Sequence, residues 1–201
     1  MNTRKLHRKH KSKHQINFYS RKNGCHVWCE SNLERNFALS LEFDGNVICY
    51  TTQPGTINVH GRSYTPDFLV MYKSKPAEFI EVKMFSVIDG DDEFTRKFQL
   101  NHSAIKQALR LNLVLKTDID LRKVNLSTLD KLYRFLDVDI RHIYIDEDFP
   151  EYTSIAKLAM YLEKNAMGSI HEAWAMVAQK VYAPVEYSNL SYESEIVRTG
   201  Y

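Results

Sequence analysis

The chain contains no run of about 18 consecutive apolar residues, so it lacks the sequence of a membrane-spanning helix. Its basic N-terminus is not followed by the apolar core of a signal peptide. Cysteine is scarce as well. Cys25, Cys29 and Cys49 form an odd set without the spacing of a disulfide framework, which suits a reducing compartment. The expectation is a soluble, cytoplasmic protein with no membrane partner. Cys25-His26-X-X-Cys29 opens like a zinc knuckle but has no second half, and buried free thiols are the simpler reading. Acid is absent from residues 1–22, which carry eight Lys/Arg and three His. The rest of the chain holds 19 Lys/Arg against 25 Asp/Glu, a balance of −6. Residues 1–22 therefore read as a disordered basic arm that gains affinity for nucleic acid by neutralising phosphates, with Asn17-Phe18-Tyr19 offering a stacking contact. A solubilising tail is the bland alternative.

Two runs of β-branched, aromatic and large aliphatic residues stand out against this background. Tyr64-Thr65-Pro66-Asp67-Phe68-Leu69-Val70-Met71-Tyr72 and Glu78-Phe79-Ile80-Glu81-Val82-Lys83, separated by Lys73-Ser74-Lys75-Pro76, read as adjacent strands of a hairpin. A turn centred near Lys75 sets Asp67 opposite Lys83 and Leu69 opposite Glu81. Alternation then places Asp67, Glu81 and Lys83 on one face, with Asp67 and Glu81 as diagonal neighbours roughly 7–8 Å apart. Phe68, Val70, Tyr72, Ile80 and Val82 take the other face, so both faces are largely apolar, as in interior strands covered by helices. Two acids and a lysine in such a layer are costly unless they hold one another or a metal ion. An ion cluster of purely structural purpose is the alternative to a functional site.

Around the hairpin, Ser31 to Asp44 reads as a helix with Leu33, Phe37 and Leu41 at intervals of four. Ser31 and Glu34 have the spacing of a capping box, so Glu34 is either a cap or an inward acid reaching towards the hairpin. Val47–Thr52 and Thr56–His60 read as strands, giving three or four in meander order. A helix from about Glu93 to Leu111 follows the acidic stretch Asp89–Glu93, with Arg96, Lys106 and Arg110 off its packing stripe. Asn112–Asp118 then returns to the sheet as a strand. Beyond Leu121, helices over Ser127–Leu136, Ser154–Asn165 and Ser169–Val181, a strand at Ile140–Ile145 and a C-terminal hairpin outline a winged helix. Its second helix offers one late cation, Lys180, and makes a poor base reader. His171 and Trp174 read there as packing residues.

Pro-Asp, thirteen residues, then Glu-X-Lys resembles the core of the PD-(D/E)XK metal-dependent nucleases. With Glu34, Gln53-Pro54, Tyr64-Thr65-Pro66-Asp67-Phe68-Leu69-Val70 and Ile80-Glu81-Val82-Lys83 together, the chain resembles the TnsA-type endonuclease subunit of heteromeric cut-and-paste transposases over about Cys29 to Asp118. The resemblance implies a restriction-endonuclease-like α/β fold, with a mixed sheet flanked by helices and a small winged-helix-like C-terminal domain. It divides the chain into an arm (1–22), a nuclease domain (23–121) and the C-terminal domain (122–201). It implies catalytic Glu34, Asp67, Glu81 and Lys83, with Glu34, Asp67 and Glu81 holding Mg2+, for which Mn2+ can substitute. The implied reaction is hydrolysis of a DNA phosphodiester at the 5′ ends of the transposon. The implied partners are transposon-end DNA, a TnsB-like transposase and a TnsC-like AAA+ regulator. A free-standing nuclease of restriction or resolvase type, and a catalytically idle assembly subunit, are the rival readings.

Overall fold

The structure is a computed structural model that describes residues 15–59 and 61–200. Residues 1–14 of the expected arm lie outside that range, and its end does not behave as an arm. Ile16–Ser20 (β1) pairs antiparallel with Cys25–Cys29 (β2), and Phe18 is buried, stacked on Tyr133 with ring centroids 5.2 Å apart. Phe18 is thus a core residue and has no face to offer a base. Of the three thiols, only Cys29 is buried, while Cys25 is exposed and Cys49 intermediate.

Asn32–Phe43 (α1) starts at Ser31, whose Oγ accepts from the Glu34 N–H at 3.1 Å. Val47–Thr52 (β3) then begins the main sheet. The next expected strand leaves it. Ile57–Val59 (β4) pairs with Arg62–Tyr64 (β5) in a separate two-stranded ribbon. The long run from Tyr64 to Tyr72 breaks at Thr65-Pro66-Asp67, because proline has no N–H to donate to a ladder. Phe68–Tyr72 (β6) re-enters the main sheet, antiparallel to β3 and to Glu78–Lys83 (β7). Phe85–Ile88 (α2) and Asp92–Leu109 (α3) supply the crossover that a parallel neighbour requires, and Asn112–Thr117 (β8) pairs parallel with β7. The result is a mixed four-stranded sheet in the order β3-β6-β7-β8, flanked by helices.

Each face is closed by a different helix. Phe68, Val70, Ile80 and Val82 share a core with Phe37, Ala38, Leu39 and Leu41 of α1, and Phe37 meets Phe68 edge to face at 5.0 Å. On the opposite face, Phe79 and Leu113 pack with Ile105 of α3, and Leu69, Phe98 and Tyr64 lie against them. Burying each large side chain contributes roughly 1.5–3 kcal/mol, so this two-sided closure fixes which way every β6 and β7 side chain points.

The N-terminal hairpin is locked on by one buried acid. Glu42, 6% exposed, accepts from the hydroxyls of Ser20 and Tyr50, each at 2.6 Å, and from the Arg21 and Lys22 N–H groups, each at 3.0 Å. Lys22 Nζ donates to the carbonyls of Asp44 and Val47. These bonds satisfy a carboxylate that would otherwise be expensive to enclose.

Asp118–Arg122 (α4) and Leu126–Tyr133 (α5) follow the sheet, then Tyr152–Ser154 (β9), Ile155–Lys164 (α6), Ile170–Ala178 (α7), Tyr182–Pro184 (β10) and Glu195–Arg198 (β11). The last strands form a three-stranded antiparallel sheet in the order β10-β11-β9. A second core, including Leu158, Leu162, Trp174, Val177, Tyr182 and Ile196, lies beneath it. Trp174 stacks on Phe135, and His171 meets the same ring edge-on. Helix α5 serves both cores, Leu129 entering the first and Leu132 the second. The first core therefore continues past Leu121. The strand expected at Ile140–Ile145 is absent: Asp139 accepts from the Arg141 N–H, Ile143 N–H bonds back to Ile140, and Ile145 turns into the second core. Local turn bonds there replace a ladder, and the sheet takes β9 instead.

Candidate active site

The hairpin register differs from the expected one by two residues. Phe68 pairs with Ile80, Leu69 with Phe79 and Val70 with Glu78. Continued by one residue, this sets Asp67 directly opposite Glu81. Because side chains alternate with period two, a slip of two residues preserves the faces and draws the acids closer.

Asp67, Glu81 and Lys83 meet at the C-terminal end of β7. Lys83 Nζ lies 3.2 Å from Asp67 Oδ2 and 2.7 Å from Glu81 Oε1, bridging the two carboxylates. The acids are well covered, with side chains 15% and 11% exposed, while that of Lys83 is 36% exposed. Asp67 is held along its whole length. Its Oδ2 also accepts from the Val82 N–H at 2.7 Å, and its carbonyl accepts from the Gln53 N–H at 2.8 Å. Gln53 adopts a positive φ of 46° to make that contact, a conformation with a cost that the Gln53-Pro54 loop bears beside the site. Glu81 Oε2 accepts from the Tyr64 hydroxyl at 2.5 Å. Burial, followed by the charge of Glu81, holds the Tyr64 hydroxyl far above the usual tyrosine range, so it stays a proton donor. Burial works against the Lys83 ammonium, but Asp67 and Glu81 outweigh it and raise its pKa.

Glu34 has a different immediate role. Its Oε1 accepts from the Ser31 hydroxyl at 2.9 Å and its Oε2 from the Glu30 N–H at 2.8 Å, so both oxygens work at the helix start. Burial raises its pKa against those two bonds, and the nearby Asp67 charge adds to the rise. Glu34 thus lies within electrostatic reach of the trio while acting as a cap.

Among the described residues, no group of three or more His, Cys, Asp or Glu side chains is gathered as a ready metal cage. The donors of the Asp67–Glu81 pair nevertheless suit a hard cation. They are carboxylate oxygens, Asp67 Oδ1 makes none of the hydrogen bonds above, and an ammonium already occupies the space between them. Mg2+ is commonly held by one or two carboxylates with water and substrate phosphate completing its shell, so a full protein cage is not required.

Cleft volume points elsewhere. A cleft of about 620 Å3 opens on the α1 side, lined by Phe37, Leu41, Tyr72, Val114 and Lys116 among others, and none of Asp67, Glu81 or Lys83 lines it. The trio sits outside that cleft, at a strand end. Tyr64 and the Gln53 N–H were not singled out from sequence for a role. Their signal is membership of the motifs that carry the resemblance, just before Pro66-Asp67 and at the stop of a strand. The chain matches no family model and no curated protein.

Proposed function

We propose that this protein is a metal-dependent DNA endonuclease, the TnsA-type subunit of a cut-and-paste transposase, hydrolysing a phosphodiester at the 5′ ends of the transposon. The observation that carries the reading is the meeting of Asp67, Glu81 and Lys83, from a Pro-Asp turn and a Glu-X-Lys strand, around one bridging ammonium. A Mg2+ ion held by Asp67 and Glu81 would supply an activated water and neutralise charge on the phosphorane. The chain's own parts fill the remaining roles. Val82 N–H and Gln53 N–H fix Asp67, and Tyr64 fixes Glu81. Lys83, the most exposed of the three, orients the attacking water or meets the phosphate oxygens. Water oxygen bonds to phosphorus, the bridging phosphorus–oxygen bond breaks, and the departing oxygen takes a proton. No covalent enzyme intermediate is needed.

The restriction-endonuclease-like fold assignment is supported by the mixed sheet with a helix on each face. The winged-helix assignment is supported by the order α5, β9, α6, α7, β10, β11. The resemblance adds a TnsB-like transposase and a TnsC-like AAA+ regulator as partners, in the cytoplasm. No helix among the described residues is long and apolar enough to cross a membrane. The basic residues 1–14 would add sequence-independent affinity for DNA.

The deciding experiment is a cleavage assay on transposon-end and unrelated duplexes with Mg2+, with and without the partner transposase. Cutting at the 5′ ends that depends on the partner is expected. Efficient, site-specific cutting by the isolated chain would indicate a free-standing nuclease, and no cutting under any condition would indicate an idle assembly subunit.

A further inference from the structure

We propose that Tyr64 is a positioning residue for Glu81 and that Lys83 is a tethered counter-ion holding the cation's place, so that the two donors to Glu81 act on metal binding with opposite signs. The inference rests on the metal-dependent reading of the Asp67–Glu81 pair and deepens it.

Tyr64 belongs to neither sheet that forms the two cores. It ends β5 in the small ribbon, paired with Ile57, and its ring packs against the cluster of Phe79, Ile105 and Leu113. From that base the hydroxyl crosses to Glu81 Oε2 at 2.5 Å. Pro66 makes the crossing possible, since the chain must leave the ribbon at Tyr64 before joining the sheet at Phe68. A neutral hydroxyl brings no charge to the site. It fixes the carboxylate's direction without competing for a cation, as outer partners of metal-ligating carboxylates do.

Lys83 is a different kind of donor. Its ammonium takes Glu81 Oε1 and Asp67 Oδ2 together, the same two carboxylates that would hold a divalent ion. Both cations cannot occupy that place. Metal entry must move the ammonium off at least one carboxylate, towards the side where Lys83 is exposed. Once it has moved, Tyr64 is the contact that keeps Glu81 aimed. The lysine thereby neutralises the paired acids while no metal is bound and is delivered outward, to the substrate side, as metal binds.

The test measures Mn2+ binding to the full chain without DNA, from the resonance signal of free Mn2+, for the parent protein, Asp67→Asn, Tyr64→Phe and Lys83→Met. Thermal unfolding is followed in parallel. Phenylalanine keeps the ring in its packing and removes only the hydroxyl. Tyr64→Phe should weaken Mn2+ binding by about 10- to 100-fold. Lys83→Met should tighten it by roughly two- to fivefold, the scale expected for losing partly exposed ion-pair competition. A general loss of structure cannot produce opposite signs. Unchanged binding in Tyr64→Phe, or weaker binding in Lys83→Met, overturns the proposal. Binding that is absent, or indifferent to Asp67→Asn, overturns it together with the metal-dependent function. The expected pair of signs without any DNA cleavage would keep the inference and remove the nuclease reading.

Discussion

Replacing Asp67 by Ala and by Asn should separate what this carboxylate does for the fold from what it does for chemistry. Its Oδ2 accepts from the N–H of buried Val82 at 2.7 Å and from Lys83 Nζ at 3.2 Å. Hydrogen bonds to a charged group contribute about 1.5–3 kcal/mol, and alanine leaves the Val82 N–H without its acceptor. Lys83 keeps Glu81 at 2.7 Å, so the lysine is not stranded. Removing Asp67 relieves its repulsion of Glu81 and gives up its attraction to Lys83, opposing effects of a few kcal/mol each at an effective dielectric of about 20 that largely offset one another. The net cost of Asp67→Ala is about 1–2 kcal/mol, or roughly 2–8 °C in Tm for a chain of this size. Asparagine retains a carbonyl for the Val82 N–H and should stay within about 2 °C of the parent. Both variants should lose cleavage by at least about 100-fold, since the charge is gone in each. The measurements are a melting curve and an initial rate on end-containing DNA with Mg2+. Cutting by Asp67→Asn within threefold of the parent would refute the catalytic assignment, and equal melting of the two variants would refute the structural one.

Glu34→Gln retains one acceptor for the helix start and removes a charge whose pKa burial has raised. A raised acid contributes stability below its unfolded pKa and loses it as pH rises through the folded one. The variant should therefore melt higher than the parent at pH 8 and gain less at pH 4, and a parent that melts higher at pH 8 would contradict this. A fall in cleavage by this variant would mark Glu34 as more than a cap. Glu42→Ala removes the acceptor of the enclosed Ser20 and Tyr50 O–H groups and should cost about 3 kcal/mol, roughly 6–12 °C in Tm. A drop below about 3 °C would show that the hairpin is not held there. Reversing Arg96 and Arg110 to Glu should weaken binding to unrelated duplexes alike and flatten the salt dependence by about two phosphate contacts, as read from affinity against salt concentration. An unchanged slope would leave those residues as a solvated face.

The site was legible from sequence because its residues obey two short-range rules. Pro66 marks where Asp67 must stand, and alternation along Glu78–Lys83 sorts Glu81 and Lys83 from Ile80 and Val82. An error of two in the register left the sorting intact, because faces repeat every second residue. Glu34 was legible as a cap for the same reason, its partner being three residues away. What escaped were long-range contacts with no periodic signature. Tyr64 meets Glu81 across 17 residues from a ribbon separate from the main sheet. Glu42 meets Ser20 across 22. Phe18 reads as available to a base because the ring that covers it, Tyr133, lies far along the chain. Ile140–Ile145 alternates like a strand, yet the turn bonds at Asp139 and Ile140 were open to the same residues, and alternation alone cannot choose between them.

Net charge is a poor guide to the field at the site. Beyond residue 22 the chain carries −6, which argues for weak attraction of DNA. Yet from Phe94 to Thr117 there is no acid, and Arg96, Lys97, Lys106 and Arg110 are all exposed along α3. That helix covers the sheet face from which Glu81 and Lys83 project, and among its 18 residues only Ile105 is fully buried. Arg96 and Arg110 are 14 residues apart, about 21 Å along a helix axis, enough to span about six phosphates of one strand. The exposed acids of the same region, Asp91, Asp92 and Glu93, sit in and before the first turn, where Asp91 caps the helix and Glu93 pairs with Lys97. Positive charge is therefore concentrated on the solvent side of α3, while the acids that set the net balance lie largely outside this stretch. A duplex lying along α3 would meet an attractive field even though the body as a whole repels it. The affinity this lends is indifferent to sequence, so under the proposed function the choice of phosphodiester falls to a partner that reads the transposon end.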